Sequence, residues 1–408
     1  MKPQFENQIT KEKNILVVLQ NDGEENLDLQ YLIQNFCGKV VNSLSEIEGI
    51  QNDIKIYACG NFSNTKIINH SFHLIQELSN NFENWITNKN TLVTLGEVPI
   101  IIHNAGVYFR NLFHKEDYFN KIKSEHEFQQ LTESNKDTKA FRKGIYITEV
   151  KKEDYENNET LHFHLLRCSS NFTGPSDNLR NTDHIILNTL NDSMKYIFEK
   201  ETKLNHVLAQ IYENTIKPEE NGKEIKAKIK AHSDKTKDMP KDGVIAFCTF
   251  YDTNHFKHLE PSNSDRFDWC YKQITGLTKL HFKLKNTVTD DTLEKEFSVT
   301  LYPNSVFIIP LSTNRLYTHE IRPSMLNIER IPIRMGYVVR CSNLEALYTN
   351  GETFIKENDN LIKLEPMSME SIENLRTSYA EENKTENLVE YGKVHFSMNL
   401  GDYEKPIY

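Results

Sequence analysis

The chain lacks any apolar stretch long enough to cross a membrane as a helix. Its longest apolar runs, at 243–250 and 306–311, fall far short of the roughly 20 residues required. Residues 1–7 lack the apolar core of a secretory signal, so the chain is expected in the cytoplasm, with the nucleus left open. No Cys-x-x-Cys pair occurs: Cys37, Cys59, Cys168, Cys248, Cys270 and Cys341 are scattered. They read as reduced, mostly buried thiols, which argues against a disulfide framework and against a structural zinc site. Metal ligands, if any, are then His, Asp and Glu. Equally missing are a Gly-rich phosphate loop, a nucleophile elbow, zinc-finger spacing, internal repeats and low-complexity linkers. A net charge of −10 weighs against a large nucleic-acid footprint, because phosphate binding needs clustered Lys and Arg.

What remains is a globular balance, 38% hydrophobic and 26% charged over 408 residues, enough for two domains or one decorated core. Short β-branched runs at 14–19, 54–58 and 99–103, separated by segments such as 66–88 with helical spacing, suggest a mixed α/β N-terminal region. Segment 114–143 is highly charged and reads as helix or surface loop. Strands are expected at 145–150 and 161–167, then a helix over 182–200 capped by Ser176 or Asp177. Asn171 opens a glycosylation sequon, which carries no weight without a secretory route. From 204 onward the character becomes strand-like: 204–212, 225–232, 244–251, 277–285, 297–302, 306–310, 316–321 and 334–341. Eight strands with turns between them are what a sandwich or barrel requires. A last helix is expected over 369–382.

Three features in this strand-rich half carry chemistry. In His232-Ser233-Asp234, residues one apart on a strand share a face, so an imidazole and a carboxylate can hold adjacent corners of one metal ion. Taken alone, the pair is a weak signal and reads more readily as polar residues at a strand end. His319, in a later strand-like run, can complete a two-His, one-carboxylate face with three positions left open. Arg334 lies on the next strand. A guanidinium there is costly unless an anion pairs with it, either a bound dicarboxylate held by its planar fork or a neighbouring Asp or Glu.

In this order, His-x-Asp, a strand-rich interval, His, then Arg, residues 204–340 resemble the AlkB-like branch of the Fe(II)/2-oxoglutarate dioxygenases. Gln210-Ile211-Tyr212 resembles that branch's Asn-x-Tyr strand, with Gln for Asn, and Arg334 and Arg340 keep its six-residue step. The interval between Tyr212 and His232 is longer than in the bacterial repair enzymes of the branch.

The resemblance implies an α+β chain with a double-stranded β-helix (jelly-roll) oxygenase core. It implies iron on His232, Asp234 and His319, and 2-oxoglutarate gripped by Arg334 with Arg340, Tyr212 and Gln210 around it. The activity implied couples decarboxylation of 2-oxoglutarate to succinate with hydroxylation or oxidative demethylation of a substrate, using dioxygen. The expected organisation is an N-terminal α/β region over 1–160, the core over 161–345 and a helical or irregular extension over 346–408. The competing reading is a non-catalytic β-barrel binding module that keeps the oxygenase fold.

The target itself, like the oligomeric state, is not written in the sequence. Lys226, Lys228 and Lys230 alternate with Ala227, Ile229 and Ala231, and an unbroken strand would carry them on the face of His232 and Asp234. That reads as a cationic rim for a phosphate-bearing substrate, or as gatekeeper lysines on a solvated edge. Phe247, Phe250, Tyr251, Phe256, Trp269 and Tyr271 read as a stacking surface for a nucleobase or simply as barrel core. The loop pair His255 and His258 is a weak metal candidate.

Overall fold

The alternating half of the sequence folds into eight strands, each at a position its pattern predicts. They are β1 (His206–Tyr212), β2 (Ile229–His232), β3 (Val244–Tyr251), β4 (Lys279–Leu284), β5 (Glu296–Thr300), β6 (Ser305–Pro310), β7 (Tyr317–Arg322) and β8 (Arg334–Arg340). The computed structural model describes residues 6–20, 26–50, 53–63, 65, 70–133, 136–155, 158–167, 172–217 and 222–408. Cys168 and the sequon at Asn171 lie outside them. The other five cysteines are free, as expected.

The eight strands divide into two antiparallel sets. One runs β1-β8-β3-β6 and the other β2-β7-β4-β5. Successive strands therefore change sheet at nearly every step. The facing surfaces share one core, in which Ile245, Phe247, Phe307 and Ile309 meet Leu280, Phe282, Phe297, Val299 and Ile321. Because side chains alternate along a strand, Arg334, Gly336, Val338 and Arg340 face this interior, whereas Met335, Tyr337 and Val339 face away. The outward set packs under the helices Tyr118–Glu125 and Asn181–Met194, through Phe119, Ile122, Ile186, Leu187 and Leu190. β3 is covered on both faces, and every one of its residues is buried. That is why it reads as a continuous apolar run rather than an alternating one.

Several expectations change. Strand Gly106–Phe109 pairs with β6, and strand Lys136–Thr148 pairs with β1. Residues expected in a separate N-terminal region thus extend the β1-β8-β3-β6 set into a nine-stranded sheet. Both flanks of the core strands would otherwise present unpaired backbone groups, and these flanking strands satisfy them. The division expected at 345 is also crossed, because Asn158–Leu165 pairs with Leu344–Thr349.

Segment 66–88, read as helical, contains the strand Phe72–Asn80 in a five-stranded parallel sheet with Asn14–Val18 and Lys55–Asn61. A register shift in its pairing breaks the period of two, and the buried Phe72, Leu74, Ile75 and Leu78 then mimic helical spacing. Segment 114–143 holds a helix as read, followed by the strands Gln129–Glu133 and Lys136–Thr148. The helix expected over 182–200 spans Asn181–Met194, and its N-cap is Arg180 rather than Ser176 or Asp177.

Asp177 has a different task. The His126 ring is fully buried, with Nδ1 2.7 Å from Asp177 Oδ2 and Nε2 2.9 Å from Asp183 Oδ2. The Tyr337 hydroxyl donates to the other oxygen of Asp183 at 2.7 Å. This cluster ties both helices to the back of β8. Burial opposes a charge on the ring, but the two carboxylates outweigh it and raise the His126 pKa to about 9. A histidine raised above its unfolded value of about 6.5 gives stability that is complete below that pH and lost as pH rises through the folded value. The urea midpoint of the wild type is therefore expected to fall between pH 6.5 and about 9. In His126→Gln it should be lower at neutral pH and nearly flat over that window. Parallel profiles for the two proteins would exclude this assignment.

Candidate metal and anion site

The two sheets enclose a cavity of about 760 Å³ lined by His232, Asp234, His319, Arg334, Arg340, Tyr212 and Gln210, all seven residues singled out from the sequence. His232 and His319 meet because β2 and β7 place them directly opposite each other in the register. Their ring centroids lie 4.5 Å apart. Asp234 is not on a strand. The face expected to run unbroken from Lys226 to Asp234 is interrupted by a register shift within β2, and Asp234 lies beyond the strand's end. Its backbone is held by Asn314 instead: the Asp234 N–H donates to Asn314 Oδ1 at 2.8 Å, and Asn314 Nδ2 donates to the Asp234 carbonyl at 2.9 Å. Ser233 adds a bond from its hydroxyl to the Tyr317 carbonyl at 3.1 Å.

The two carboxylate oxygens of Asp234 are used differently. Arg340 donates to Oδ2 through Nε at 2.8 Å and Nη2 at 2.7 Å. Oδ1 faces His232 Nε2 at 3.6 Å and His319 Nε2 at 3.8 Å. The three ligand atoms lie within 4.8 Å of one another. Burial alone would raise the Asp234 pKa, but the Arg340 guanidinium holds the carboxyl well below the ordinary carboxylate range. His319 is lowered to about 3, by burial first and by His232 second, so it is neutral at ordinary pH. His232 Nδ1 donates to the Lys230 carbonyl at 2.9 Å, which fixes the ring with Nε2 toward Asp234. Two imidazoles and an ionised carboxylate on one side of a cavity are a donor set for a divalent transition metal with open positions.

A second cluster, Glu125, His126 and Asp183, has comparable spacing. Both His126 nitrogens are already bonded to carboxylates, so no lone pair is presented there.

At the far end of β8, Arg334 is 4% exposed, with its guanidinium 4.0 Å from the centre of the Tyr212 ring. No carboxylate among the described residues pairs with it, and its buried Nη2 has no hydrogen-bond partner. The neighbouring-carboxylate alternative is thereby removed, and the cation is left turned toward the cavity. The Tyr212 hydroxyl donates to Gln210 Oε1 at 3.1 Å, which leaves the Gln210 amide N–H groups to donate into the same space. Gly336 keeps that space open, since a Cβ there would stand 3.0 Å from Arg334 Nη1 and 3.2 Å from the Tyr212 ring.

Sequence reasoning passed over Asn314 and Gly336, whose roles rest on long-range approach. It also overstated the aromatics. Of the six named, Phe247 alone lines the cavity, edge-on to His319 with centroids 5.3 Å apart. Phe250 packs on the outer face, and Tyr251, Phe256, Trp269 and Tyr271 form a separate cluster. His255 lies against Asp252, outside the cavity lining, as does His258.

Removing Arg340 leaves a buried carboxylate with no counter-charge. Arg340→Met is expected to lower stability by roughly 3–5 kcal/mol in urea unfolding. Adding Asp234→Asn should recover part of that loss, a coupling that a double-mutant cycle reads directly.

No family model matches the sequence, and no curated protein matches it. No helix among the described residues is long and apolar enough to cross a membrane. The chain is similar in structure to the AlkB homologue OsALKBH1, with a TM-score of 0.31 and 11% identity over 58% of this chain and 97% of that one. A 2OG-Fe(II) oxygenase family oxidoreductase from Burkholderia pseudomallei gives 0.24 and 8%, over 48% and 73% of the two chains. The Fe(II)/α-ketoglutarate-dependent dioxygenase TqaL gives 0.26 and 9%, over 62% and 79%. Among the solved structures that this chain resembles are thus 2-oxoglutarate- and Fe(II)-dependent oxygenases and an AlkB homologue.

Proposed function

We propose that the protein is an Fe(II)- and 2-oxoglutarate-dependent dioxygenase whose eight core strands form a double-stranded β-helix. The observation that carries the reading is the pairing, in one cavity, of a His/Asp/His face with a buried arginine that no carboxylate among the described residues pairs with. A metal site alone fits many activities. The orphaned cation opposite it calls for a bound anion.

In this reading His232, Asp234 and His319 hold the iron. Arg334 grips the distal carboxylate of 2-oxoglutarate with its planar fork, while Tyr212 supports the guanidinium from behind and Gln210 donates beside it. Arg340 keeps Asp234 ionised and fixes which oxygen faces the imidazoles. Bound iron and 2-oxoglutarate supply the activation of dioxygen, with decarboxylation to succinate and oxidation of a substrate C–H by hydroxylation or oxidative demethylation. Phe247, Leu280, Leu301 and Val338 wall this region with apolar surface and limit access of water.

The test is anaerobic loading of the full chain with Fe(II) and 2-oxoglutarate, admission of air and measurement of succinate. The wild type should form succinate without added substrate, and His232→Ala should form none. Arg334→Ala should raise the KM for 2-oxoglutarate by about 10- to 100-fold, the loss of a charge-assisted pair. Wild-type succinate no greater than that of His232→Ala would sink the proposal.

A further inference from the structure

The cavity holds more positive charge than metal and cosubstrate account for. Asp234 is the one carboxylate among the described residues of its lining, and Arg340 already neutralises it. Given the proposed function, on which this inference rests, Arg334 answers to the distal carboxylate of 2-oxoglutarate. A third arginine, Arg142, also lines the cavity and remains unexplained. It lies on strand Lys136–Thr148, half-buried, with its Nε shut off from solvent and without an acceptor. No carboxylate among the described residues pairs with its guanidinium. A half-buried cation with open donors calls for an anion of its own.

Register places that anion apart from the cosubstrate. Tyr212 pairs with Arg142 on one side and with Arg334 on the other, so the order across three adjacent strands is Arg142, Tyr212, Arg334. Neighbouring strands lie about 4.8 Å apart, which puts the two arginine backbones on the order of 10 Å from each other with the tyrosine between them. Phe141, its chain neighbour, and Tyr146, four residues on along the same strand, line the same cavity. Lys228 and Lys230 stand exposed on the lining contributed by the β2 segment, and no carboxylate among the described residues pairs with either. The remaining lysines there are engaged: Lys226 donates to the Ser324 carbonyl at 3.2 Å and Lys235 to that of Tyr379 at 3.1 Å. A chain of net charge −10 thus concentrates free cations at the entrance of one cavity.

We propose that Arg142, with Lys228 and Lys230, forms an anion subsite that binds a phosphate group on the small molecule to be oxidised. Arg142 supplies the fork, and the lysines supply the field that draws a dianion in. The subsite then fixes the substrate by its charged end and leaves its uncharged part to extend through the cavity toward His232 and His319. The overall acidity of the chain favours a small phosphate ester over a polymer, because a polyanion would meet repulsion outside the mouth.

Calorimetric titration of the full chain with inorganic phosphate tests this, under anaerobic conditions and with Fe(II), both with and without saturating 2-oxoglutarate. The wild type should bind phosphate in both states. Arg142→Ala should weaken that binding by at least about tenfold, as expected for one charge-assisted contact, while 2-oxoglutarate affinity stays within about twofold. Arg142→Lys should fall between, and Lys228→Gln with Lys230→Gln should lower affinity without touching the fork, which keeps the test open if Arg142→Ala folds poorly. Equal phosphate binding by wild type and Arg142→Ala, or none by the wild type, overturns the subsite. A parallel loss of 2-oxoglutarate binding in Arg142→Ala overturns it too, by assigning Arg142 to the cosubstrate. Preference for a ten-nucleotide single strand over phosphate, lost in Arg142→Ala, overturns the small-molecule assignment. If the wild type fails to bind 2-oxoglutarate, the proposed function falls, while the phosphate arm still reads Arg142 by itself.

Discussion

Taking a carboxylate out of water is costly, and in this protein Arg340 makes it tolerable for Asp234. The pair joins the central strand of one sheet to the segment just beyond an edge strand of the other. With Oδ2 engaged by the guanidinium, Oδ1 turns toward the two imidazoles. Asn314 completes the restraint by closing two bonds on the Asp234 backbone, in place of a strand ladder. The same cation has a cost next door. His206, opposite Arg340 in the register, is lowered to about 3 by burial and then by that guanidinium, so it sits there as a neutral ring.

The electrostatics of the cavity run against those of the chain. Acidic residues predominate over the whole molecule, yet the described residues that line the space between the sheets include arginines and lysines around a single carboxylate. Such an inversion favours anionic contents, and the low-dielectric walls contributed by Phe247, Leu280 and Val338 strengthen each contact made within it. Gly336 contributes by what it leaves out, keeping the room beside Arg334 and Tyr212 clear.

The eight core strands were legible because β-sheets with two different faces impose a period of two, and because β3, buried on both, reads as a plain apolar run. His232, Asp234, His319, Arg334 and Arg340, which the fold brings to one cavity, stood out in the sequence as a set through their order along the chain. Other elements were hidden for identifiable reasons. The pairing of Gly106–Phe109 with β6 and of Lys136–Thr148 with β1 depends on partners far away in sequence, so a boundary near residue 160 looked natural and is not respected by the sheet. Strand Phe72–Asn80 passed for a helix because a register shift disturbed its period. Asn314 and Arg142 looked like ordinary polar residues, since nothing local distinguishes a side chain that reaches the metal-ligand segment or the cavity. The aromatic series from Phe247 to Tyr271 scattered into three places because neighbours in sequence alternate between faces.

β8 is hydrogen-bonded on both edges, to β1 and to β3, and its back is fastened to Asp183 through Tyr337. Arg334 and Arg340 ride on it together. Arg142 and the exposed lysines belong instead to a flanking strand and to a short, interrupted one. The cavity is therefore divided into a centre held on both edges and a rim carried by flanking segments. Substitutions in the rim can change what enters the cavity while the His/Asp/His face and its buried cation stay where they are.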